Sequence, residues 1–537
     1  MTRFVGIDFG TSTSLIAVRE SENVPPQIIP IGLGANSWMP SVIATTTPMM
    51  VGERATEADA KHQIRSIKSG LTRGESWFAE QAEALDSAFV RNGIASLLAE
   101  VKRRAEAIHP NLFAGARVFL GCPALWNYEN RRTLADISST LGMHVDVMGV
   151  LDEPIAAGVQ WVQGTWLKSG QLVAGRTLVF DAGGGTLDVA LIEVTGSQQP
   201  EVSVLAANSI AKSGDDVDTS IATYLLEKNP QFKSDPIARK LVLDASRRLK
   251  EALSDEENST VQVGLPVGTL LKLSRTELEE LIKGQVNDSM NVVTRVLVES
   301  DLRRSSDISV AEARKRIQEI AASVENVLLV GGLSQMPIFR RELQSRFPRA
   351  MVHSVVNPQL VVAEGLTYAD AIVHLNMPRP PISFVVRPGL EEPEEVIYEA
   401  FHEIIDPVAA WRGDAFLKHK YDFSRFPDGD YEILCVLPDR EKTVMPILIR
   451  SEGSSSVSLS VKVSHSARSE FEKMEFVMYA TGEFLVKGKG KIDSYRPINW
   501  RRLNYGKDLE DLRLEVQKMD GSSWPDDGND KSMASRK

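Results

Sequence analysis

The stretch Leu178–Asp188 constrains the fold more than any other part of the sequence. The apolar run Leu178–Phe180 ends in Asp181, and three glycines follow before Thr186 and Asp188 open a second apolar run. This pattern predicts two strands joined by a glycine turn, with a carboxylate at each shoulder. Because glycine lacks Cβ, the backbone N–H groups of such a turn can approach phosphate oxygens closely. Asp181 is suited to hold Mg²⁺ through water, since that ion gives up its hydration shell reluctantly. An ordinary hairpin with solvated acids would show the same pattern at this one position.

A second copy of the pattern opens the chain. Residues 4–18 contain an apolar run, Asp8, Gly10, a cluster of hydroxyl side chains and another apolar run. Two such hairpins predict two homologous half-domains that bind one nucleotide from both sides. A third glycine turn, Gly331-Gly332, follows an apolar run and precedes a helical pattern at 338–347. Pro337 suits the start of that helix, where its missing N–H costs little.

These motifs resemble those of the actin-like ATPase fold and, within it, of the seventy-kilodalton heat-shock (DnaK-like) chaperone family. Residues 8–14 are similar to the family's first phosphate loop, and residues 179–189 are similar to its second. Residues 151–158 resemble its connecting motif, and 213–218 and 357–365 fall where the family places further motifs. The resemblance covers about residues 3–374, the nucleotide-binding region, and does not extend past them.

The resemblance implies an α/β fold with a duplicated, two-lobe actin-like (ribonuclease H-like) ATPase domain at residues 1–376. A Pro-rich linker is predicted at 377–381. Short alternating strands at 382–505 predict a smaller, mostly-β, sandwich-like domain. Residues 506–537 are expected to hold one short helix, at 508–518, and a disordered tail. Local patterns also predict a strand at Met143–Val150, a helix at Ala363–His374 and a strand at Val457–Val463.

Composition narrows the class of protein. The chain has 537 residues, of which 43% are hydrophobic and 25% charged, as in ordinary globular proteins of more than one domain. Its net charge of −11 argues against broad nucleic-acid binding. Two distant cysteines, Cys122 and Cys435, predict neither a disulfide framework nor a zinc site. Residues 2–10 have a strand pattern and not that of a signal peptide, and no apolar run is long enough to span a bilayer. We therefore expect a cytoplasmic protein with no membrane partner.

The resemblance implies that ATP or ADP binds with Mg²⁺, and it assigns roles to particular residues. Asp8 and Asp181 would hold the metal. The residues that would serve catalysis are Lys68, Glu153, Asp181, Thr186 and Asp188. Those that would bind the nucleotide are Gly10, Thr11, Ser12, Thr13, Gly183, Gly184, Gly185, Gly214, Lys250, Ser254, Gly331 and Gly332. By local sequence alone, Lys68 could be a surface lysine and Glu153 an ordinary acid at a helix start.

The sequence departs from the family pattern at the base end of the nucleotide. Glu251 stands where an arginine would stack on the base, and Gln335 and Gln359 replace an arginine and an acid. Pro123 and Arg131 match positions that, in the family, relay the nucleotide state from the ATPase domain to its partner domain. The family's acidic, leucine-rich linker has no counterpart here.

The predicted function is a chaperone-like ATPase that hydrolyses ATP slowly. Lobe closure would switch how the C-terminal β domain binds protein or peptide clients, and a co-chaperone or nucleotide-exchange partner is possible. Three alternatives stay open: an actin-like filament-forming scaffold, a small-molecule kinase on the same fold, and a nucleotide-sensing binding module with little hydrolysis.

Overall fold

A computed structural model gives the fold of most of the chain. The structure describes residues 2–22, 24–59, 62–80, 85–196, 199–304, 308–355, 357–374, 376, 378–387, 394–404, 418–422, 430–436, 447–451, 454–458, 461–464, 475–479, 484–488 and 491–497. The predicted helix at 508–518 and the predicted tail lie outside the described residues.

The first lobe contains strands β1–β9 and helices α1–α6. The strands are Phe4–Phe9, Thr13–Arg19, Gln27–Ile28, Trp38–Pro40, Ile43–Ala44, Met50–Val51, Gln63–Ile64, Arg117–Cys122 and Val150–Asp152. The helices are Glu53–Glu57, Ile67–Arg73, Glu75–Glu80, Ser87–Ile108, Tyr128–Thr140 and Glu153–Ser169. The main sheet has the order β3-β2-β1-β8-β9. β1 and β2 form the predicted hairpin, and β8 and β9 run parallel to β1.

The second lobe contains strands β10–β17 and helices α7–α14, except that α14 packs on α6, β1 and β2 of the first lobe. The strands are Gly175–Ala182, Leu187–Thr195, Glu201–Ile210, Asn258–Gln262, Leu270–Ser274, Val324–Val330, Met351–Ser354 and Ile372–His374. The helices are Gly214–Lys228, Pro236–Asp255, Arg275–Leu281, Lys283–Leu302, Val310–Lys315, Ile317–Ala322, Pro337–Arg346 and Val361–Leu366. Its main sheet has the order β16-β15-β10-β11-β12-β17.

The two main sheets repeat one arrangement. In each, an antiparallel hairpin is extended by a third antiparallel strand on one side and by two parallel strands on the other. Apolar side chains cover both faces of the central strands: β1 and β10 are almost wholly buried. The mixed α/β class is thereby confirmed, and the pair of equivalent sheets is consistent with an actin-like ATPase domain.

Two local predictions are wrong within residues 1–376. Residues 143–146 form no strand; a short 3₁₀ turn, Val147–Gly149, precedes β9, which starts only at Val150. The helix predicted at Ala363–His374 is α14, which ends at Leu366, and Ile372–His374 is instead the strand β17 that pairs with β12. Apolar spacing alone does not separate a short helix from a strand that gains a non-local partner.

The described residues after 378 form strands β18–β27. They are Ser383–Arg387, Glu395–Tyr398, Lys418–Asp422, Asp430–Val436, Ile447–Ser451, Ser454–Ser458, Val461–Ser464, Glu475–Tyr479, Phe484–Gly488 and Lys491–Pro497. They belong to two sheets, ordered β19-β18-β21-β24 and β20-β25-β26-β27-β22-β23. The strand predicted at Val457–Val463 is wrong, because β23 and β24 lie in different sheets. Sandwich packing of the sheets stays a prediction; the rings of Phe384 and Phe476, one from each sheet, lie 5.1 Å apart.

Candidate functional site

The two hairpin turns, one from each lobe, lie against each other. A Cβ added to Gly184 would lie 2.6 Å from Ser12 Oγ, and one added to Gly185 would lie 2.9 Å from Thr11 Oγ1. A side chain at either glycine would displace these hydroxyl groups, so the absence of Cβ favours the close approach of the turns. The predicted phosphate-binding residues Gly10–Thr13 and Gly183–Gly185 are therefore brought together.

Two further glycine segments pack against the second turn. Gly331 has a φ of 78°, and a Cβ there would lie 2.5 Å from Asp181 Oδ1 and closer still to a backbone carbonyl. Gly214 donates its N–H to Gly183 O at 3.1 Å. The Ser213 hydroxyl donates to the same oxygen at 2.7 Å. All three glycine turns that the sequence analysis singled out thus meet around Asp181–Gly185.

Lys68 is buried beside these turns. It lies in the first half of α2, its residue is only 2% exposed, and its ammonium pairs with Glu153. The Gly121 carbonyl lies 3.5 Å from Lys68 Nζ. Burial alone would lower the pKa of Lys68, but the charges of Glu153 and Asp8 raise it above its ordinary value. Lys68 is therefore a buried cation and not a solvated surface lysine.

Burial and the charges of neighbouring carboxyl groups raise the pKa values of the acids near Lys68. Burial, and then repulsion from Glu153, raise the pKa of Asp8 to about 7, although Lys68 opposes the shift. Burial raises the pKa of Asp181 well above its ordinary value, and the charges of Glu153, Asp188 and Asp8 add to that shift. Shifts with these causes are typical of sites that receive a cation or a proton.

Asp188 is held by several donors on the other side of the cluster. It stands directly opposite Asp181 in the β10–β11 hairpin. The backbone N–H of Ala124 donates to Asp188 Oδ1 at 2.7 Å. Burial and then Glu153 raise the pKa of Asp188 to about 7, while hydrogen bonds from Thr186, Ala124 and Ser209 oppose the rise. The predicted catalytic residues therefore form one cluster with the predicted metal-holding residue Asp8: Lys68, Glu153, Asp181, Thr186 and Asp188.

The remaining predicted nucleotide residues lie at the edge of this cluster or away from it. Lys250 Nζ donates to Gly214 O at 3.0 Å and pairs with Asp218 at 2.8 Å. Ser254 lies one helical turn further along α8, and its hydroxyl donates at 3.4 Å to the backbone of its own helix. Gly332 has open space around it. The roles of Ser254 and Gly332 in nucleotide binding stay predictions.

The three departures from the family pattern are all on the surface. Glu251, Gln335 and Gln359 are exposed side chains. Gln335 donates a long 3.4 Å hydrogen bond to its neighbour Ser334. At these three positions the chain thus lacks the arginine and acid side chains of the family pattern.

Sequence reasoning did not single out several residues that complete the site. Ser69 Oγ lies 2.8 Å from where a Cβ of Gly185 would be. Ser66 Oγ donates to Asp215 Oδ2 at 2.5 Å across the cleft. A signal existed for the serines, which flank Lys68 in the phrase Ser66-Ile-Lys-Ser69. No local pattern marks Gly121, whose carbonyl faces Lys68 from strand β8.

The residues present fit a phosphate chain with a hydrated divalent cation. Burial and mutual repulsion raise the pKa values of these carboxyl groups, and a bound cation would favour their charged forms. Within the described part of the chain, no three His, Cys, Asp or Glu side chains stand close enough together to hold a metal ion directly. A cation bound here would keep water in its coordination shell, as Mg²⁺ commonly does.

Comparison with protein families agrees with this geometry. The family model described as Hsp70 protein matches residues 81–378, more than half of the chain. The chain belongs to the Hsp70 family. The match includes Glu153, Asp181–Asp188, Lys250 and Gly331-Gly332; Asp8 and Lys68 precede it and join the site through the fold.

Membership in the Hsp70 family implies an ATP-binding, chaperone-type function. Members of the family are generally ATPases that bind ATP or ADP, generally with Mg²⁺, and they act on protein clients together with co-chaperones. Among the helices that the structure describes, none combines the length and the apolar character needed to cross a bilayer.

Proposed function

We propose that this Hsp70-family protein binds Mg²⁺ and ATP between its two lobes and hydrolyses ATP slowly, as a conformational switch. One observation carries the proposal: a buried lysine lies among four carboxyl groups where the two glycine turns meet. Phosphoryl transfer depends mainly on positioning and charge stabilisation, which such a cluster supplies.

Each residue then has a role that its surroundings support. Asp8 and Asp181 would hold the hydrated cation, which neutralises charge on the phosphates when bound. The turns 10–13 and 183–185 would bind phosphate oxygens. The buried charge of Lys68 would stabilise negative charge that develops on the terminal phosphate. Glu153 and Asp188 would orient the attacking water, and a pKa of about 7 suits Asp188 to accept a proton near neutral pH.

Contacts beyond the site suggest how the nucleotide state would reach the C-terminal strands. The loop after β8 is held by Asp188 through the Ala124 N–H and by Ser209 through the Leu125 N–H. On its other side, the Leu125 carbonyl accepts from Arg379 Nη1 at 3.1 Å. A change at Asp188 can therefore move the residue to which the segment after the ATPase region is anchored.

The same segment packs on the predicted relay residue Arg131. The Arg131 guanidinium lies 4.2 Å from the centre of the Phe401 ring and also pairs with Asp152. Glu403 pairs with Arg295 at 2.5 Å and with Arg379 at 2.6 Å. We name residues 394–404, with their contacts to both lobes, the docking segment. These contacts support a switch that uses the docking segment in place of the family's acidic linker.

The rest of the proposal concerns partners and domain limits. The β-rich part, residues 382–505, would bind protein or peptide clients, and a co-chaperone or exchange partner would control the nucleotide. The ATPase domain would comprise residues 1–376, with the linker at 377–381. The protein would act in the cytoplasm.

Nucleotide-dependent thermal stability tests the site. We expect ATP with Mg²⁺ to raise the melting temperature, because a ligand that binds only the folded state stabilises it. Removal of Mg²⁺ with EDTA should abolish most of this rise in the wild type. In Asp181→Ala, ATP should raise the melting temperature only slightly, and by the same amount with and without Mg²⁺. Asp288→Ala, at a half-exposed acid that pairs with Lys212, is the matched control and should behave as wild type. A wild-type rise that does not depend on Mg²⁺ would contradict the assignment.

A further inference from the structure

A direct contact crosses the cleft close to Lys68. Ser66, in the first lobe, donates its 2.5 Å hydrogen bond to Asp215 of α7, in the second lobe. Nearby, Lys240 of α8 donates to the Gln63 carbonyl at 3.4 Å. Gln63 and Ser66 both belong to the segment that leads into α2, which carries Lys68. The lobes are thus linked beside the lysine.

Ser66 stands at the start of α2, but its side chain does not cap the helix. It is the N-cap residue of α2, where a serine normally accepts a hydrogen bond from the first turn, yet its side chain makes no capping bond. Its φ of 56° and ψ of 38° are left-handed, which a non-glycine residue adopts at a cost in free energy. Its hydroxyl bonds the other lobe instead.

Asp215 takes no part in the capping box of α7 and is tied to the second glycine turn. Ser213 and Asp216 form that capping box, while Asp215 lies in the first turn of the helix and its charge also acts on Arg65. The Asp215 N–H donates to Gly184 O at 2.7 Å. Asp215 therefore moves with the turn Gly183–Gly185, just as Ser66 moves with Lys68.

We propose that Ser66 and Asp215 form an interlobe latch, the hydrogen bond between these two side chains, which sets Lys68 against the second glycine turn and slows the release of bound nucleotide. Ser66 is then a positioning residue that acts through Lys68 and through lobe closure. The inference rests on the proposed function, because it concerns the same nucleotide site. It adds a determinant of nucleotide residence time that lies outside the phosphate turns.

The test is the dissociation rate of a fluorescently labelled ATP, chased with unlabelled ATP in the presence of Mg²⁺. Hydrogen bonds to charged groups are stronger than neutral ones, so Ser66→Ala should speed dissociation by about tenfold or more. Asp215→Asn keeps an acceptor and should stay within roughly threefold of wild type. The double variant Ser66→Ala/Asp215→Ala should be no faster than Asp215→Ala alone, since both changes remove one bond. Ser76→Ala, at an exposed hydroxyl that bonds Arg73 of its own segment, is the control.

Ser66→Gly separates the latch from a backbone effect. Glycine relieves the left-handed strain, so that variant is expected to fold, but it has no hydroxyl and should release nucleotide as fast as Ser66→Ala. Release at the wild-type rate from Ser66→Gly or Ser66→Ala would overturn the latch while wild-type binding leaves the proposed function intact. Failure of the wild type to bind labelled ATP at all would overturn both.

Discussion

At the scale of single residues, Asp8 is a group that would favour cation binding and that lowers the stability of the nucleotide-free protein when it ionises. Its pKa rises from 3.8 to about 7 in the folded chain, mainly because the carboxyl group is buried. The folded state therefore holds a proton that the unfolded state has already lost, and the stability of the nucleotide-free protein falls as pH rises between these values. Binding of a cation would reverse that cost.

Asp8→Asn tests whether ionisation of Asp8 destabilises the nucleotide-free protein. Between pH 5 and pH 8 the ionisation of Asp8 should cost the nucleotide-free wild type roughly 2–3 kcal/mol of unfolding free energy, and Asp8→Asn should escape that loss. Urea unfolding of both proteins at the two pH values measures the difference. A variant that loses as much stability as the wild type would show that Asp8 titrates normally in the fold.

Single residues also mark what the sequence could and could not reveal about the site. Asp181, Asp188 and the glycines between them follow from local pattern, because a hairpin of adjacent strands fixes their proximity. The placement of Lys68 against Glu153 depended on resemblance to a family, since the two lie on different helices. The Ser66–Asp215 contact has no sequence signal, because it exists only once two lobes are packed.

At the scale of elements, the third glycine turn offers a matched pair of neighbours. Gly331 has a φ of 78° and no room for a Cβ beside Asp181, whereas Gly332 has helical dihedral angles and open space. Gly331→Ala should lower the unfolding free energy by about 1–3 kcal/mol and weaken ATP binding. Gly332→Ala should leave the unfolding free energy nearly unchanged.

Chemical unfolding and calorimetric titration with Mg²⁺ and ATP measure the two effects. Equal unfolding free energies and equal ATP affinities in the two variants would contradict the close packing of Gly331 against Asp181.

The docking segment is the element that carries the proposed switch. Phe401 is buried, has a φ of 63°, which is unusual for a bulky residue, and packs under the Arg131 guanidinium. We expect ATP to change amide hydrogen exchange in residues 394–404 of the wild type by several fold. Phe401→Leu, which keeps bulk but removes the ring, should abolish that response.

Val396→Ala, at a half-exposed position in the same segment, is the control and should keep the response. Exchange that is the same in the wild type with and without ATP would show that the segment does not sense the nucleotide.

Element prediction succeeded where the local signal and the tertiary contacts agree. The hairpins β1–β2 and β10–β11 were predicted because an apolar run, an acid and a glycine turn specify them locally. β17 was missed because its identity as a strand comes from pairing with β12, far away in the sequence. β9 was placed too early, since the apolar residues Met143, Val145, Val147 and Met148 are buried without forming a strand.

At the scale of the whole molecule, the duplicated sheets explain why one chain has two facing glycine turns. Each lobe brings its turn to the end of the same central hairpin, and packing of the lobes places the turns in contact. The sequence predicted this duplication from the repeated motif alone. It predicted no docking of residues 394–404, since their charged partners, Arg295 and Arg379, stand apart in sequence and join only through Glu403.

The central claim is that this cluster hydrolyses ATP, and steady-state phosphate release tests it most directly. The wild type is assayed with ATP and, in parallel, with GTP, beside Lys68→Ala and Asp181→Ala, with Lys228→Ala at an exposed lysine as control. We expect slow release from ATP that falls by roughly 10²–10³-fold in both site variants and is unchanged in the control. Absence of phosphate release from the wild type with either nucleotide, although ATP raises its melting temperature, would contradict hydrolysis and leave a nucleotide-gated binding module.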